Sequence, residues 1–251
     1  MTANLLIVIP TAGKGSRTGL DYPKTLFEID NKPILHHILE RFENINANVV
    51  IIVSPKSHDL IEKSIKGFQK NIELIVQDQP SGMGNAVLQI KKGKNFNNIE
   101  DVILVWGDIP YIQKGTLDTT LKFHTNNKSD FTFPSKVVKK AYTVISRNSN
   151  GDVQSVIETR EDSSKPAEGE RDMGLFIFKK NIVIPMLEES LDCKISNTTK
   201  EHGFLYIISH LVSRNFSVNA LPIATELDLI SFNNLEDIKY MKFQKKLMDK
   251  K

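Results

Sequence analysis

The segment PTAGKGSRTGLDYPKTL, residues 10–26, directly follows a compact apolar run at residues 5–9. The run is rich in β-branched side chains, which is typical of a strand buried on both faces. A glycine-rich turn after such a strand lets backbone N–H groups approach a phosphate closely, and nearby cations neutralise its charge. A tight strand-to-helix connection, in which the glycines serve only the turn, is the alternative. The clustered charge of Lys14 and Arg17, and Lys24 held just after a proline, favour phosphate binding.

Two common glycine motifs are excluded within this segment. A P-loop needs Gly-Lys followed directly by Ser or Thr, but Gly15 separates Lys14 from Ser16. The dinucleotide fingerprint needs a third glycine where this chain has Thr18, and Gly19 comes one residue late. The segment is therefore a phosphate loop of another type.

Further apolar runs predict a regular order of strands and helices in the first half of the chain. Strands are predicted at residues 49–53, 72–76 and 102–106, with helical patterns between them. This alternation, up to about residue 125, indicates an α/β fold with a Rossmann-like, mostly parallel doubly wound sheet. Such sheets bind ligands beyond the carboxyl ends of their strands. We therefore expect the functional groups in three loops: residues 13–24, 77–86 and 107–110.

The second half of the chain does not continue this alternation of strands and helices and is predicted to be β-rich. The polar segment 159–171 lacks apolar periodicity and is predicted to be a loop. No internal repeat or linker interrupts the chain, so we expect one domain, residues 1–251, with its halves divided near residue 126. The predicted elements are strands at 131–133, 142–145, 153–157, 173–178 and 216–221, a hairpin turn at 148–152, and helices near 182–190, 203–212 and from about 234.

Composition excludes several classes of protein. The formal net charge is +3, from 33 basic and 30 acidic residues, which is too balanced to indicate a nucleic-acid partner. Cys193 is the only cysteine, so a disulfide framework and a cysteine-rich metal site are excluded. No apolar segment is long enough to cross a membrane, and the first apolar run is too short and lacks the basic leader of a signal peptide. We expect a cytoplasmic protein.

Asp108 lies in the sequence Trp-Gly-Asp-Ile-Pro, just after a predicted buried strand. A carboxylate in this position either caps the following turn or binds a cation. Mg²⁺ is usually held by only one or two carboxylates together with substrate phosphates, so a single aspartate is sufficient. The cationic phosphate loop at the same edge of the sheet favours a magnesium site.

At this point the motifs resemble those of the sugar-1-phosphate nucleotidylyltransferases. The resemblance is strongest to the uridylyltransferase domain of the bacterial N-acetylglucosamine-1-phosphate uridylyltransferases, and it covers nearly the whole chain. It is carried by PTAGKGSR at residues 10–17, Pro23-Lys24, Gln77 with GMG at 82–84, GDIP at 107–110, VIE at 156–158, DMG at 172–174 and FNN at 232–234.

The resemblance implies a role for each of these positions on the nucleotide side. Arg17 and Lys24 would face the phosphates, and Gln77 would read the base, because a side-chain amide can pair with the donor and acceptor edge of a pyrimidine. Gly82 would leave room for the nucleoside. The backbone at Ala12, Gly13 and Gly15 would hold the nucleotide, and Asp108 and Asn233 would hold Mg²⁺. From composition alone, a cap at the start of the final helix is the preferred role for Asn233.

On the acceptor side the resemblance implies that Glu158 and Asp172 bond sugar hydroxyls, with Thr143 and Tyr206 beside them. Without the resemblance, Glu158 is also consistent with the solvent-exposed end of a strand. The chain departs from its relatives here: Thr143 replaces a glycine, Asp172 an asparagine, and residues 204–208 replace polar positions with apolar ones. A sugar phosphate other than N-acetylglucosamine 1-phosphate, or another phosphorylated acceptor, therefore remains open. The hexapeptide repeat of an acetyltransferase is absent, and no acetyltransferase domain is expected.

The chemistry of the predicted reaction requires no general base. A sugar phosphate oxygen is already anionic near neutral pH, so the barrier lies in bringing anions together in line. We expect attack on the α-phosphorus of UTP or dTTP, with release of pyrophosphate. Three alternatives remain: a cytidylyltransferase for another phosphorylated acceptor, a glycosyltransferase of related topology, and a non-catalytic nucleotide sensor. Such a sensor would be expected to lack Arg17, Lys24 or Asp108, all of which are present.

Overall fold

A mixed eight-stranded sheet lies at the centre of the computed structural model, which describes residues 4–13, 19–68, 70–159, 168–232 and 237. The strands are β1 (Leu5–Pro10), β2 (Glu28–Ile29), β3 (Lys32–Pro33), β4 (Asn48–Val53), β5 (Ile72–Val76), β6 (Asp101–Val105), β7 (Phe131–Val138), β8 (Thr143–Arg147), β9 (Val153–Glu158), β10 (Gly169–Asp172), β11 (Leu175–Lys179) and β12 (Val218–Leu221). The helices are α1 (Ile34–Arg41), α2 (His58–Ile65), α3 (Met83–Leu88), α4 (Lys114–Asn126), α5 (Lys180–Glu188) and α6 (Ile207–Ser213), with short 3₁₀ turns at Lys24–Leu26, Gln89–Lys92 and Phe96–Asn98.

The first half of the chain supplies the parallel part of the sheet, in the order β5-β4-β1-β6. Strand β1 is buried on both faces, because Leu6 and Val8 pack into one hydrophobic cluster while Ile7 and Ile9 pack into the other. Burying each such side chain contributes about 1.5–3 kcal/mol. The predicted Rossmann-like α/β fold is confirmed, and the carboxyl ends of these strands lie along one edge.

The second half extends the sheet with antiparallel pairs. Strand β11 pairs antiparallel with both β6 and β7, while β12 runs parallel to β7 on the far side. Strands β8 and β9 form a separate hairpin, and its turn closes through the Asn148 N–H, which donates to the Asp152 carbonyl oxygen at 2.9 Å. Gly151 in this turn has a φ of 87°, which favours glycine. The β-rich second half and its hairpin are therefore as predicted.

The prediction of a loop over residues 159–171 is wrong at its carboxyl end, where β10 pairs antiparallel with β7. Its sequence GERD has no apolar alternation, so periodicity gave no signal. The strand is held instead by polar contacts: Arg147 donates to both carboxylate oxygens of Glu170, at 2.6 and 2.7 Å, and the Ser135 hydroxyl donates to the same carboxylate at 2.5 Å. Residues 160–167 and the helix predicted from about residue 234 lie outside the described part of the chain, apart from residue 237.

None of the helices in the described residues combines the length and the apolar character that crossing a membrane requires.

Candidate functional site

The carboxyl edge of the parallel strands brings Lys24 and Asp108 together. Lys24 begins the 3₁₀ turn after the phosphate loop, and Asp108 follows β6. The Lys24 ammonium donates to Asp108 Oδ2 at 2.5 Å and lies 3.5 Å from the carbonyl oxygen of Phe232. The Phe232 N–H in turn donates to the backbone oxygen of Asp108 at 2.9 Å, so three distant segments meet at this point. Asn233, which follows Phe232 in the sequence, lies outside the described residues.

The second carboxylate oxygen of Asp108, Oδ1, is buried and accepts a hydrogen bond from no described residue. Burying an acceptor without a donor is costly, so such an atom calls for a specific partner. Hard divalent cations take carboxylate oxygens as ligands. The donor set at Asp108 therefore fits a bound Mg²⁺.

Gly107 allows this edge of the sheet to close. A Cβ atom at Gly107 would lie 2.7 Å from the carbonyl oxygen of Pro10, at the end of the neighbouring strand β1. Any other residue would push the two strand ends apart and would move Asp108 with them. The close approach of the Pro10 carbonyl oxygen thus explains why the residue before Asp108 is a glycine.

The start of the phosphate loop continues the parallel pairing of β1 with β4. Thr11 donates both its N–H and its hydroxyl to the carbonyl oxygen of Ile52, at 2.7 and 2.9 Å. Ala12 is buried, whereas Gly13 is exposed, and a Cβ atom there would meet no atom of the described residues within 4 Å. The backbone at Gly13 is therefore accessible from outside the sheet. Gly15 and Arg17, predicted for the nucleotide and its phosphates, lie outside the described residues.

Gln77 lies at the end of β5, where its N–H donates to the Val53 carbonyl oxygen at 2.8 Å. Its side chain is 3% exposed and is held by the start of α3: Nε2 donates to Asn85 Oδ1 at 2.8 Å and to the Gly82 carbonyl oxygen at 3.4 Å. The structure thus places the predicted base-reading residue in a defined orientation at the same edge of the sheet as Asp108.

The structure supplies a packing reason for Gly82, and the room for a nucleoside stays a prediction. A Cβ atom at this position would lie 2.4 Å from the His202 carbonyl oxygen, and the φ of 101° also favours glycine. The two segments are joined by backbone hydrogen bonds, from His202 N–H to Ser81 O at 2.8 Å and from Gly84 N–H to His202 O at 3.0 Å. The glycine is thus accounted for by close backbone packing against His202, and room for a nucleoside is not needed to explain it.

Replacing Gly84 with alanine is expected to lower the free energy of unfolding by about 2–3 kcal/mol, because its Cβ would meet the Gly203 carbonyl oxygen at 2.2 Å. Gly115 in α4 provides the matched control. A Cβ there meets no described atom within 4 Å, so Gly115→Ala is expected to raise helix stability by up to about 1 kcal/mol. Urea unfolding of both variants measures the difference. Equal effects of the two substitutions would contradict the packing described for residues 82–84.

The predicted acceptor residues Thr143, Glu158 and Asp172 lie together. Thr143 is paired with Glu158 across the β8–β9 hairpin, and the Thr143 hydroxyl donates to Asp172 Oδ2 at 2.6 Å. The other oxygen of Asp172 accepts the Gly174 N–H at 2.7 Å, and Asp172 is fully buried. Each carboxylate oxygen thus already accepts one hydrogen bond, and the side chain is closed to solvent. Direct contact of Asp172 with the acceptor therefore stays a prediction.

Tyr206, the fourth predicted acceptor residue, lies directly before α6 with its hydroxyl 3.2 Å from His202 Nε2. Burial, helped by the charge of Lys194, lowers the pKa of His202 from 6.5 to about 4. Burial, helped by Glu189, raises the pKa of Tyr206 from 10.0 to about 12. Both side chains are therefore neutral near neutral pH. Sequence reasoning missed His202, because nothing in one sequence indicates which backbone packs against the glycines at 82–84.

The depressed pKa of His202 gives stability a defined pH dependence. The unfolded chain binds this proton near pH 6.5, whereas the folded protein binds it only near pH 4, so stability is full above 6.5 and falls as the pH drops towards 4. Allowing for solvent screening, we expect a loss of about 1 kcal/mol that His202→Gln removes. Urea unfolding across this pH range checks it. A variant with unchanged pH dependence would show that His202 is not the group responsible.

These features and the comparisons with known proteins define the class: the chain carries an NTP transferase domain. Residues 7–167 match the family described as MobA-like NTP transferase domain, and the chain belongs to that family. The resemblance seen in the sequence is thereby confirmed at the level of the family.

Among curated proteins, the chain is similar to the bifunctional protein GlmU of Francisella tularensis subsp. novicida (strain U112). The two are 26% identical over 233 residues, which is 92% of this chain and 49% of GlmU. The chain thus spans about half the length of the curated relatives it matches.

Three solved structures share the fold at low sequence identity. A UDP-glucose pyrophosphorylase complexed with UDP-glucose gives a TM-score of 0.71 at 15% identity and covers 95% of this chain and 98% of its own. A 4-diphosphocytidyl-2C-methyl-D-erythritol synthase from Anaerococcus prevotii gives 0.67 at 15%, covering 96% and 98%. A Bacillus anthracis protein assigned as a glucose-1-phosphate thymidylyltransferase gives 0.75 at 12%, covering 96% and 94%. All three support the fold.

Proposed function

We propose that this enzyme transfers the nucleotidyl group of UTP or dTTP to a sugar 1-phosphate, forming a nucleoside diphosphate sugar and pyrophosphate. The observation that carries the proposal is the contact of Lys24 with Asp108 at the carboxyl edge of the sheet, beside an unbonded buried oxygen of Asp108. A cation and a metal-binding carboxylate at one point suit a substrate that brings several phosphates.

In this proposal Asp108 holds Mg²⁺ through its carboxylate, and Asn233 is the second ligand predicted from the sequence. When bound, the metal neutralises negative charge on the phosphates as they approach each other. The 2.9 Å bond from the Phe232 N–H to the Asp108 backbone supports the pairing, because it fixes the residue before Asn233 against Asp108. In this proposal, the two protein oxygens that bind the metal therefore come from two separate segments of the chain.

Lys24 and Arg17 bind the phosphates of the nucleotide in this proposal. The Lys24 ammonium lies 2.5 Å from Asp108, so phosphates bound next to that carboxylate are within reach of the cation after a small movement of its flexible side chain. The accessible backbone at Gly13 and the loop residue Gly15 complete the nucleotide side. Positioned cations offset the repulsion between the anionic acceptor oxygen and the α-phosphate, so in-line attack proceeds without a general base.

The acceptor binds, in this proposal, near the cluster of Thr143, Glu158 and Asp172. The hydrogen bond from Thr143 to Asp172 fixes the carboxylate, and Glu158 lies beside Thr143 on the neighbouring strand. Tyr206 contacts His202 at 3.2 Å, and in this proposal its neutral hydroxyl donates to an oxygen of the acceptor molecule.

A cytidylyltransferase acting on another phosphorylated acceptor is the second candidate. It is favoured by the similarity of the fold to the 4-diphosphocytidyl-2C-methyl-D-erythritol synthase and by the apolar residues at positions 204–208, which differ from the sugar-binding relatives.

The test is pyrophosphate release with Mg²⁺ from a matrix of nucleotides and acceptors. UTP, dTTP and CTP are each combined with glucose 1-phosphate, N-acetylglucosamine 1-phosphate and a sugar-alcohol phosphate. The proposal expects release to depend on both a uracil or thymine nucleotide and a sugar 1-phosphate. Release only with CTP and the sugar-alcohol phosphate would establish the second candidate instead.

A further inference from the structure

Three side-chain amides form a chain of hydrogen bonds at the start of α3. Gln77 Nε2 donates to Asn85 Oδ1 at 2.8 Å, and Gln89 Nε2 donates to the same oxygen at 3.2 Å. Gln77 Nε2 also lies 3.4 Å from the Gly82 carbonyl oxygen, and Gln89 Nε2 lies 3.1 Å from the Asn85 carbonyl oxygen. Asn85 Oδ1 is thus the shared acceptor of two glutamines.

The orientation of the Gln77 amide depends mainly on Asn85. A carbonyl oxygen only accepts hydrogen bonds, so Asn85 O, at 3.1 Å, requires the nitrogen of Gln89 to face it, and Gln89 thereby presents a donor to Asn85 Oδ1 as well. Asn85 Oδ1, at 2.8 Å, in turn orients the nitrogen of Gln77, whereas the Gly82 carbonyl oxygen at 3.4 Å holds it only weakly. The orientation of all three amides follows from the network.

The network commits the donor end of Gln77 to the protein and leaves its acceptor end available. Both hydrogens of the Gln77 amide face protein oxygens, whereas Oε1 accepts a hydrogen bond from no residue in the described part of the chain. Gln77 as a whole is only 3% exposed, so the surrounding protein holds its side chain in place. Its Oε1 is therefore an oriented acceptor that a ligand with a donor is able to use.

We propose that Asn85 is a positioning residue that fixes the hydrogen-bonding polarity of Gln77 and so selects a base with a ring N–H. The inference rests on the proposed function and on the base-reading role that the family resemblance implies for Gln77. Uracil and thymine carry a donor at ring position 3, whereas cytosine carries an acceptor there. An oriented Oε1 therefore accepts from uracil or thymine and faces the lone pair of cytosine. Free rotation of the Gln77 amide would remove this discrimination.

The test is calorimetric titration of UTP and CTP, each with Mg²⁺ and without an acceptor, into the wild type, Asn85→Leu and Asn85→Asp. We expect the wild type to bind UTP about 10-fold or more tightly than CTP. Asn85→Leu removes the shared acceptor, and the ratio is expected to fall towards one, mainly through weaker UTP binding. In Asn85→Asp the carboxylate still accepts hydrogen bonds from both glutamines. This variant is expected to retain the ratio of UTP to CTP affinity, even if its charge weakens the binding of both nucleotides equally.

The outcomes separate this inference from the proposed function. If the wild type binds neither nucleotide, the proposed function fails. If the wild type prefers UTP but Asn85→Leu keeps the full ratio, the positioning role of Asn85 is overturned and the proposed function stands. A wild-type preference for CTP, or a lost ratio in Asn85→Asp, would also overturn the inference. Unfolding midpoints of both variants confirm that the folded protein is being titrated.

Discussion

Asp108→Asn is expected to lower turnover with Mg²⁺ by about 100- to 1,000-fold while leaving the fold intact. The substitution keeps the shape of the side chain but removes the negative charge that suits a divalent cation. The backbone oxygen of residue 108 still accepts the Phe232 N–H, and Gly107 still allows the strand ends to meet. The substitution is therefore expected to lower the rate of the catalysed reaction and not the stability of the fold. A titration of steady-state rates with Mg²⁺ measures this loss.

Asp118→Asn is the matched control for this experiment. Asp118 lies on α4 and pairs with Lys114 of the same helix, an exposed contact that contributes little to stability. The control is expected to keep wild-type turnover, and both variants are expected to show similar unfolding midpoints. Near-normal Mg²⁺-dependent turnover in Asp108→Asn would refute the metal role of Asp108.

Lys24→Met is expected to lower kcat/KM by about 100-fold or more, equivalent to about 2.7 kcal/mol of transition-state stabilisation. Methionine fills similar space but cannot offset the charge of the phosphates as they come together. Since the ammonium lies 2.5 Å from Asp108, it is placed beside the proposed metal ligand. A rise in KM for the nucleotide measures the contribution of Lys24 to binding. A fall in kcat measures its contribution to the catalytic step.

Lys32→Met provides the control for the loss of a positive charge. Lys32 bonds Glu40 at 2.7 Å on the exposed surface and is not part of the site. Its loss is expected to change kcat/KM less than 2-fold. Lys24→Arg is expected to recover only part of the activity, because a guanidinium does not reproduce a compact ammonium. An unimpaired Lys24→Met would remove this lysine from the mechanism.

The parallel half of the fold could be predicted because its signals are local. Each buried strand is a short apolar run, and alternate residues of β1 enter opposite hydrophobic clusters, so a continuous run is required. The carboxyl ends of parallel strands meet at one edge whatever their order in the sheet. This is why the sequence could predict that Lys24 and Asp108 lie near each other before the strand order was known.

The features that were missed depend on contacts between distant segments. Strand β10 is stabilised by the ion pair of Glu170 with Arg147, which no periodicity reveals. The glycines at 82 and 84 pack against His202, a residue with no recognisable motif around it. The amide network of Gln77 and Asn85 also needs three dimensions, since the orientation of each amide is set by carbonyl groups brought close by the fold.

Direct transfer of the nucleotidyl group is tested by a single-turnover experiment with nucleotide labelled at the α-phosphorus. The nucleotide and acceptor are the pair that releases pyrophosphate most rapidly. We expect the label to move from the nucleoside triphosphate to the nucleoside diphosphate sugar, in equal amounts with pyrophosphate and with none retained on the protein. Label that becomes covalently attached to the protein, or a labelled product without pyrophosphate, would contradict the account.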